Sequence, residues 1–99
     1  MFEYNGVLFD WDEDKNIANQ KKHKISFEEA ASAFFDDESV TIPDVEHSYG
    51  EERFFLIGLS YNNRILTVCH CERQSGKITR IISARKAENI EKILYEGGY

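Results

Sequence analysis

The chain has 99 residues, of which 41% are hydrophobic, 13% aromatic and 30% charged, with six Gly and one Pro. That composition leaves room for one core, expected as a single domain over residues 1–99, and excludes the disordered, collagen-like and linker classes. Net charge is −6, yet residues 1–52 hold 14 acidic and 4 basic side chains while residues 53–99 hold 4 acidic and 8 basic, including all five arginines. Such a split is either a basic working face on an acidic body or the unevenness of a short chain.

No apolar run approaches the ~20 residues that span a bilayer. The opening MFEYNGVLFDWDEDK has neither the basic start nor the apolar stretch of a secretory signal, so a cytoplasmic location is expected. Asn5-Gly6 reads as a turn, with a short strand at Val7-Leu8-Phe9. A helix is expected from about Glu13 to His23, with Asp12 as N-cap and Glu13 and Asp14 near the positive end of its dipole. Its interior is polar, and Lys15, Asn19, Lys22 and His23 form a stripe that reads either as a solvated face or as a holder of phosphate or a partner.

Ser26-Phe27-Glu28-Glu29 has the spacing of a capping box, and Phe27, Ala30, Ala31, Phe34 and Phe35 then recur at helical period, predicting a helix over about 27–36. Asp36-Asp37-Glu38 would end it, because the dipole disfavours acids there. Strands follow at 40–42 (closed by Pro43), 53–60, 65–72 and 78–84, joined by turns at 61–64 and 74–76. Ile90, Ile93 and Leu94 then mark a C-terminal helix from about Ala87 that frays at Gly97-Gly98. Helices segregated from hairpin-linked strands predict an α+β fold with an antiparallel meander.

Arg53, His70, Arg73, Arg80 and Arg85 all fall on or beside three consecutive strands. Strict alternation puts Leu66, Val68, His70 and Glu72 on one face, and Ile78, Arg80, Ile82 and Ala84 likewise. His70 and Arg80 would then meet on one side of a hairpin, with Ser83 and Arg85 on the other. A guanidinium inside a β-branched run needs water, a carboxylate or a phosphate. One arginine alone is explained by pairing with Glu52 or Glu72, whereas the whole group suggests an anion site.

Cys69 and Cys71 sit one residue apart on one strand face, poorly placed for an unstrained disulfide. Cys69-His70-Cys71 lacks the further ligands of a zinc site, and no metal or cofactor is expected. No G-x-G-x-x-G, P-loop or G-x-S-x-G motif is present.

Several segments together resemble a known family. They are Phe9-x-Trp11-Asp12-x-x-Lys15-Asn16-x-x-Asn19-x-x-Lys22-His23, Ile25-Ser26-Phe27-Glu28-Glu29-Ala30, Glu52-Arg53-Phe54-x-x-Ile57-Gly58, Val68-x-His70-x-x-Arg73 and Arg80-Ile81-Ile82-Ser83-Ala84-Arg85-Lys86-Ala87. The series, over roughly residues 7 to 95, resembles the BrnT toxins of bacterial type II toxin–antitoxin modules. The resemblance implies a RelE-like α+β fold and a ribonuclease that inhibits translation. It also implies a BrnA-like antitoxin that binds the toxin and carries the DNA-binding domain, so that operator DNA is met only indirectly. The C-terminal helix departs from the family, with Glu88-Asn89-Ile90-Glu91 where basic residues are usual.

RNA can be cut without a metal when its 2′-OH attacks the adjacent phosphate, given a base, cations on the pentavalent phosphate and an acid at the leaving oxygen. Arg80 and Arg85, with Arg53 or Arg73, are the candidate phosphate clamps. His70 is the first candidate for proton transfer and Glu52 the second. The alternative is a non-catalytic module that only binds its antitoxin and acts as a corepressor.

Overall fold

The structure is a computed structural model, and it describes residues 1–48 and 50–97. Among these, six strands form one sheet: β1 (Phe2–Tyr4), β2 (Val7–Asp10), β3 (Val40–Pro43), β4 (Arg53–Leu59), β5 (Ile65–Arg73) and β6 (Ile78–Lys86), in the order β1-β2-β6-β5-β4-β3. Helices α1 (Glu13–His23), α2 (Phe27–Ser32) and α3 (Asn89–Tyr95) complete the α+β fold.

The sheet is mixed, and the expected purely antiparallel meander is corrected at one edge. β3, β4, β5 and β6 are antiparallel neighbours, but β2 runs parallel to β6, with Asp10 opposite Arg80. Asn5 (φ +49°) and Gly6 (φ +83°) make the expected turn, and it joins β2 to an additional strand, β1. Three residues, Phe2–Tyr4, were too short a run to show an alternating pattern.

α1 matches its expected span, with the Asp12 carboxylate accepting from the Asp14 backbone and Lys24 closing the helix in the left-handed conformation (φ +61°). Its contact with the sheet is made by amides. β2 pairs with β6 only through Arg80, so the edge of β6 beyond that point lacks a strand neighbour. The Asn19 side chain takes that place: its amide donates to Ala84 O and accepts from Ala84 N–H, and it also donates to Ile25 O. Asn16 accepts from Phe27 N–H and so fixes the entry to α2. Lys15 and Lys22 remain solvated, as the plainer reading of the stripe had it.

The helix expected over 27–36 divides into α2 and a tighter 3₁₀ turn, Ala33–Phe35. β4 passes so close that a Cβ at Gly58 would lie 2.6 Å from Ala33 O. Ser26 caps α2 by accepting from Glu29 N–H, but the Glu29 carboxylate does not return to the cap. It is buried and binds Arg64 and the Ser60 hydroxyl instead. Burial pushes the Glu29 carboxyl up, and the hydrogen bonds from Arg64, Ser60 and Asn62 outweigh it, leaving it below 4.5. Its contribution to stability is therefore complete above that value and is lost as pH falls through the folded-state value.

Phe9, Ile25, Phe27, Ala30, Ala31, Leu66, Val68, Ile81 and Ala84 form the core between the helices and one sheet face, with Phe34 and Phe35 packed at its margin. Asp36 ends the helical segment and ties α3 down, accepting from Leu59 N–H and from the Tyr95 hydroxyl. Gly97 takes a positive φ after α3, and Gly98 lies outside the described residues.

Two substitutions check this packing. Phe27→Ala should cost about 3–5 kcal/mol, as for other fully buried phenylalanines. Asn19→Ala should cost about 3 kcal/mol, because it strands backbone groups that each cost about 1–3 kcal/mol when buried without a partner. Urea unfolding of both variants measures this, and an Asn19→Ala loss under about 0.5 kcal/mol, the range of a neutral surface change, would contradict the assigned role.

Candidate active site

The placement of the arginines is decided by a β-bulge. Cys69 faces Ser83, but His70 faces Ile81, so Ile82 is surplus in β6 and the register slips by one. Arg80 therefore lies opposite Cys71, and Arg85 opposite Thr67. Residues 67, 69 and 71 share one face of β5, so Arg80, Ser83 and Arg85 project from the same side. His70 projects from the other. The expected meeting of His70 and Arg80 over one phosphate is thus corrected, since strict alternation in β6 cannot survive an inserted residue.

A lateral row crosses four strands on the arginine face: Asp10 beside Arg80, Arg80 beside Cys71, and Cys71 beside Arg53. The core helices α1 and α2 pack on the opposite face. Arg80 donates to Asp10 Oδ2 at 2.7 Å, and both side chains are about one-third exposed, 27% and 34%. Arg53 makes no ion pair among the described residues. Cys71 is buried beneath this row and Cys69 nearly so, both as free thiols, and burial pushes both thiols up.

The remaining cations are held by carboxylates. Arg73 pairs with Glu51 at 2.9 Å, an exposed contact at the end of the sheet. Hydrogen bonding from Cys71, opposed by some desolvation and assisted by Arg73 and Arg53, holds the Glu51 carboxyl below its ordinary value. Arg85 is clamped by α3, its two terminal nitrogens each 2.7 Å from a Glu91 oxygen. Glu91 also accepts from Thr67 Oγ1 and Glu88 N–H. The Glu52 and Glu72 partners expected from sequence are not used: both are exposed and make no ion pair among the described residues. Glu51 lies in a loop, where strand alternation gives no direction.

His70 is 6% exposed on the helix side of the sheet. Its ring meets Phe34 edge-on at 4.8 Å and stacks on Phe54 at 5.8 Å, with Nδ1 3.4 Å from Val68 O. Burial pulls its pKa below 6.5, against weaker opposing effects of Val68 O and Glu72, so the imidazole is neutral at pH 7. Among the described residues, no three His, Cys, Asp or Glu side chains converge into a metal-binding cluster.

The chain is thus a small α+β protein whose core helices α1 and α2 cover one sheet face, with Arg53, Arg80 and Arg85 on the other. Residues 11–91 match the family described as "Ribonuclease toxin, BrnT, of type II toxin-antitoxin system". The chain belongs to this BrnT family. Its structure is also similar to the crystal structure of the Brucella abortus ribonuclease toxin BrnT, with a TM-score of 0.64 at 21% identity, covering 84% of this chain and 99% of that one. No curated protein sequence matches the chain.

The burial of His70 has a direct consequence. Its C2 proton should titrate below pH 6.5 by NMR. Because the unfolded state then binds the proton first, stability should rise with pH between the folded-state value and 6.5, and His70→Gln should flatten that part of the profile. A midpoint at or above 6.5 would show that the ring is not desolvated as described.

Proposed function

We propose that this BrnT-family chain has a RelE-like fold and is a metal-independent endoribonuclease, binding RNA on the open sheet face and cutting by attack of the 2′-OH on the adjacent phosphate, with the bond to the 5′-oxygen breaking and that oxygen taking up a proton. The observation that carries the reading is the row Asp10–Arg80–Cys71–Arg53. It sets two guanidiniums on one solvent-facing surface, one of them free of any ion pair among the described residues. Two such forks suit a phosphodiester whose charge grows in the transition state. Arg80 shares its Asp10 partner with solvent, so a phosphate can compete for it. Arg73 stands at the margin of the row. Arg85, closed by Glu91, contributes field rather than contact unless α3 moves.

Asp10 already holds Arg80, and the other carboxylate beside this group is Glu51, which touches both Arg73 and Cys71 and is ionised at neutral pH. In this reading it accepts the proton of the 2′-OH in place of Glu52, and His70 takes no part. The toxin would act in the cytoplasm on translation and be neutralised by a BrnA-like antitoxin, through which it would meet operator DNA.

A second reading, a non-catalytic corepressor, is favoured by one observation: three of the four clamp arginines are already paired with carboxylates. Growth on induction without the antitoxin separates the two, because only an active toxin arrests growth alone.

Arg80→Ala and Arg53→Ala should each slow cleavage of a defined RNA by about 10²–10³ while leaving the fold intact, the usual cost of losing a cation from transition-state charge. Cleavage should fail with a 2′-deoxy residue at the cut site and should survive EDTA. Persistence on the deoxy substrate, loss in EDTA, or full activity in both variants would overturn the mechanism.

A further inference from the structure

On the helix side of the sheet, α1 and α2 cover the end that carries Leu66, Val68 and Ala84 and leave the other end open. There a cavity of about 230 Å³ is lined by Phe34, Thr41, Phe54, His70, Glu72 and Thr79. It adjoins a shallower depression of about 400 Å³ at the end of the sheet, with which it shares Phe54 and Glu72, and whose rim adds Glu51 and Glu52. No lysine or arginine lines either depression among the described residues.

His70 forms the floor, and one of its ring atoms is left over. Nδ1 is near Val68 O, while Nε2 has no hydrogen-bond partner among the described residues. Every fully buried side-chain polar atom described does have one, so Nε2 must open onto the cavity. His70 is thus a nearly buried residue that keeps one ring nitrogen without a hydrogen-bond partner among the described residues, at an opening walled by Phe34 and Phe54.

The charge of the rim decides what. RNA would bring phosphates against Glu52 and Glu72, a like-charge contact, whereas a cationic peptide is attracted. Phe34 and Phe54 are half-buried and face one large apolar side chain's worth of space. An aromatic-walled pocket within a charged rim suits an interface anchor.

We propose that this groove is a protein-docking site: a cationic segment of the antitoxin lies along Glu52 and Glu72 and inserts one large apolar side chain between Phe34 and Phe54, over His70. Its occupant's identity rests on the toxin–antitoxin reading above. The groove is on the opposite side of the sheet from the arginine row, so the antitoxin would hold the toxin without occupying the phosphate site at this contact.

The test uses the full chain and a fluorescein-labelled peptide in which one tryptophan is flanked by lysines, with a tryptophan-to-alanine peptide and a single-stranded RNA oligonucleotide as the other probes. Anisotropy gives affinity, and NMR of the His70 ring reports occupancy. The tryptophan peptide should bind and shift the His70 signals, and the alanine peptide should bind at least tenfold more weakly. Glu52→Lys combined with Glu72→Lys should weaken binding about tenfold or more, equivalent to about 1.4 kcal/mol per factor of ten. The milder pair Glu52→Gln and Glu72→Gln should show a smaller loss in the same direction, which guards against misfolding of the reversal variant.

RNA cleavage should be unchanged in both double variants. Equal binding by the charge-reversal variant, or His70 signals that move with the oligonucleotide and not with the peptide, would overturn the proposal. Wild-type protein that binds the peptide at His70 but cuts no RNA would support this site and sink the ribonuclease mechanism, so the two failures are distinct.

Discussion

Across β5 and β6, two residues of one strand face three of the other, and Ile82 is the surplus. A period of two means that one inserted residue exchanges the faces of everything beyond it. Without the bulge, Arg80 would project from the helix side of the sheet, the side of His70 and Glu72, away from Asp10. With it, Arg80 reaches Asp10 and solvent, while Ile81 fills the core. The bulge therefore satisfies two demands together: an unbroken apolar layer under the helices and an aligned set of cations on the exposed face.

The helix layer is held by an unusual proportion of polar contacts. α1 has few apolar residues to bury, yet Asn16 and Asn19 are almost completely enclosed. Each buried amide is supplied with partners on the backbone, so its desolvation is compensated and its geometry is directional. Glu29 repeats the pattern, exchanging a local cap for Arg64 and Ser60 across the fold. Directional contacts of this kind specify where a short helix sits, which a thin apolar stripe could not do. They also make the helix layer sensitive to acid through Glu29, while His70 adds a separate sensitivity in the range just below pH 6.5.

Much of this was legible in the residues. The span of α1, the turn at Asn5-Gly6, the three long strands and the C-terminal helix follow from caps, turn chemistry and apolar period, and the resemblance to BrnT toxins rests on motifs that the family match covers. What escaped has physical causes. Parallel pairing of β2 with β6 is a long-range choice that no local pattern records. The bulge leaves no mark in a run such as Ile81-Ile82, where either residue can fill the core. Asn19 looked like part of a solvated stripe because a buried amide and an exposed one are the same letter. The carboxylate partners were misassigned for a similar reason: Glu51 and Glu91 lie outside the strands, where alternation says nothing about direction.

The net charge of −6 looks unsuited to a protein that handles RNA, but charge acts locally in salt. At physiological ionic strength the Debye length is about 8 Å, against a molecule with extents of 34 × 28 × 27 Å. On the proposed function, a phosphate over Arg53 and Arg80 would be separated by the sheet from the acidic residues of α1 and α2 and dominated by the guanidiniums it touched. The acidic groups that do lie close, Asp10 and Glu51, are each bonded to an arginine, so they order the cations as well as lower the local potential. Glu91 performs the same service for Arg85 from α3. The carboxylates left without ion pairs at the end of the sheet, Glu52 and Glu72, border the His70 groove. The net charge of −6 therefore does not describe either surface: carboxylates balance most of the arginines on one side of the sheet, while unpaired carboxylates border the groove on the other.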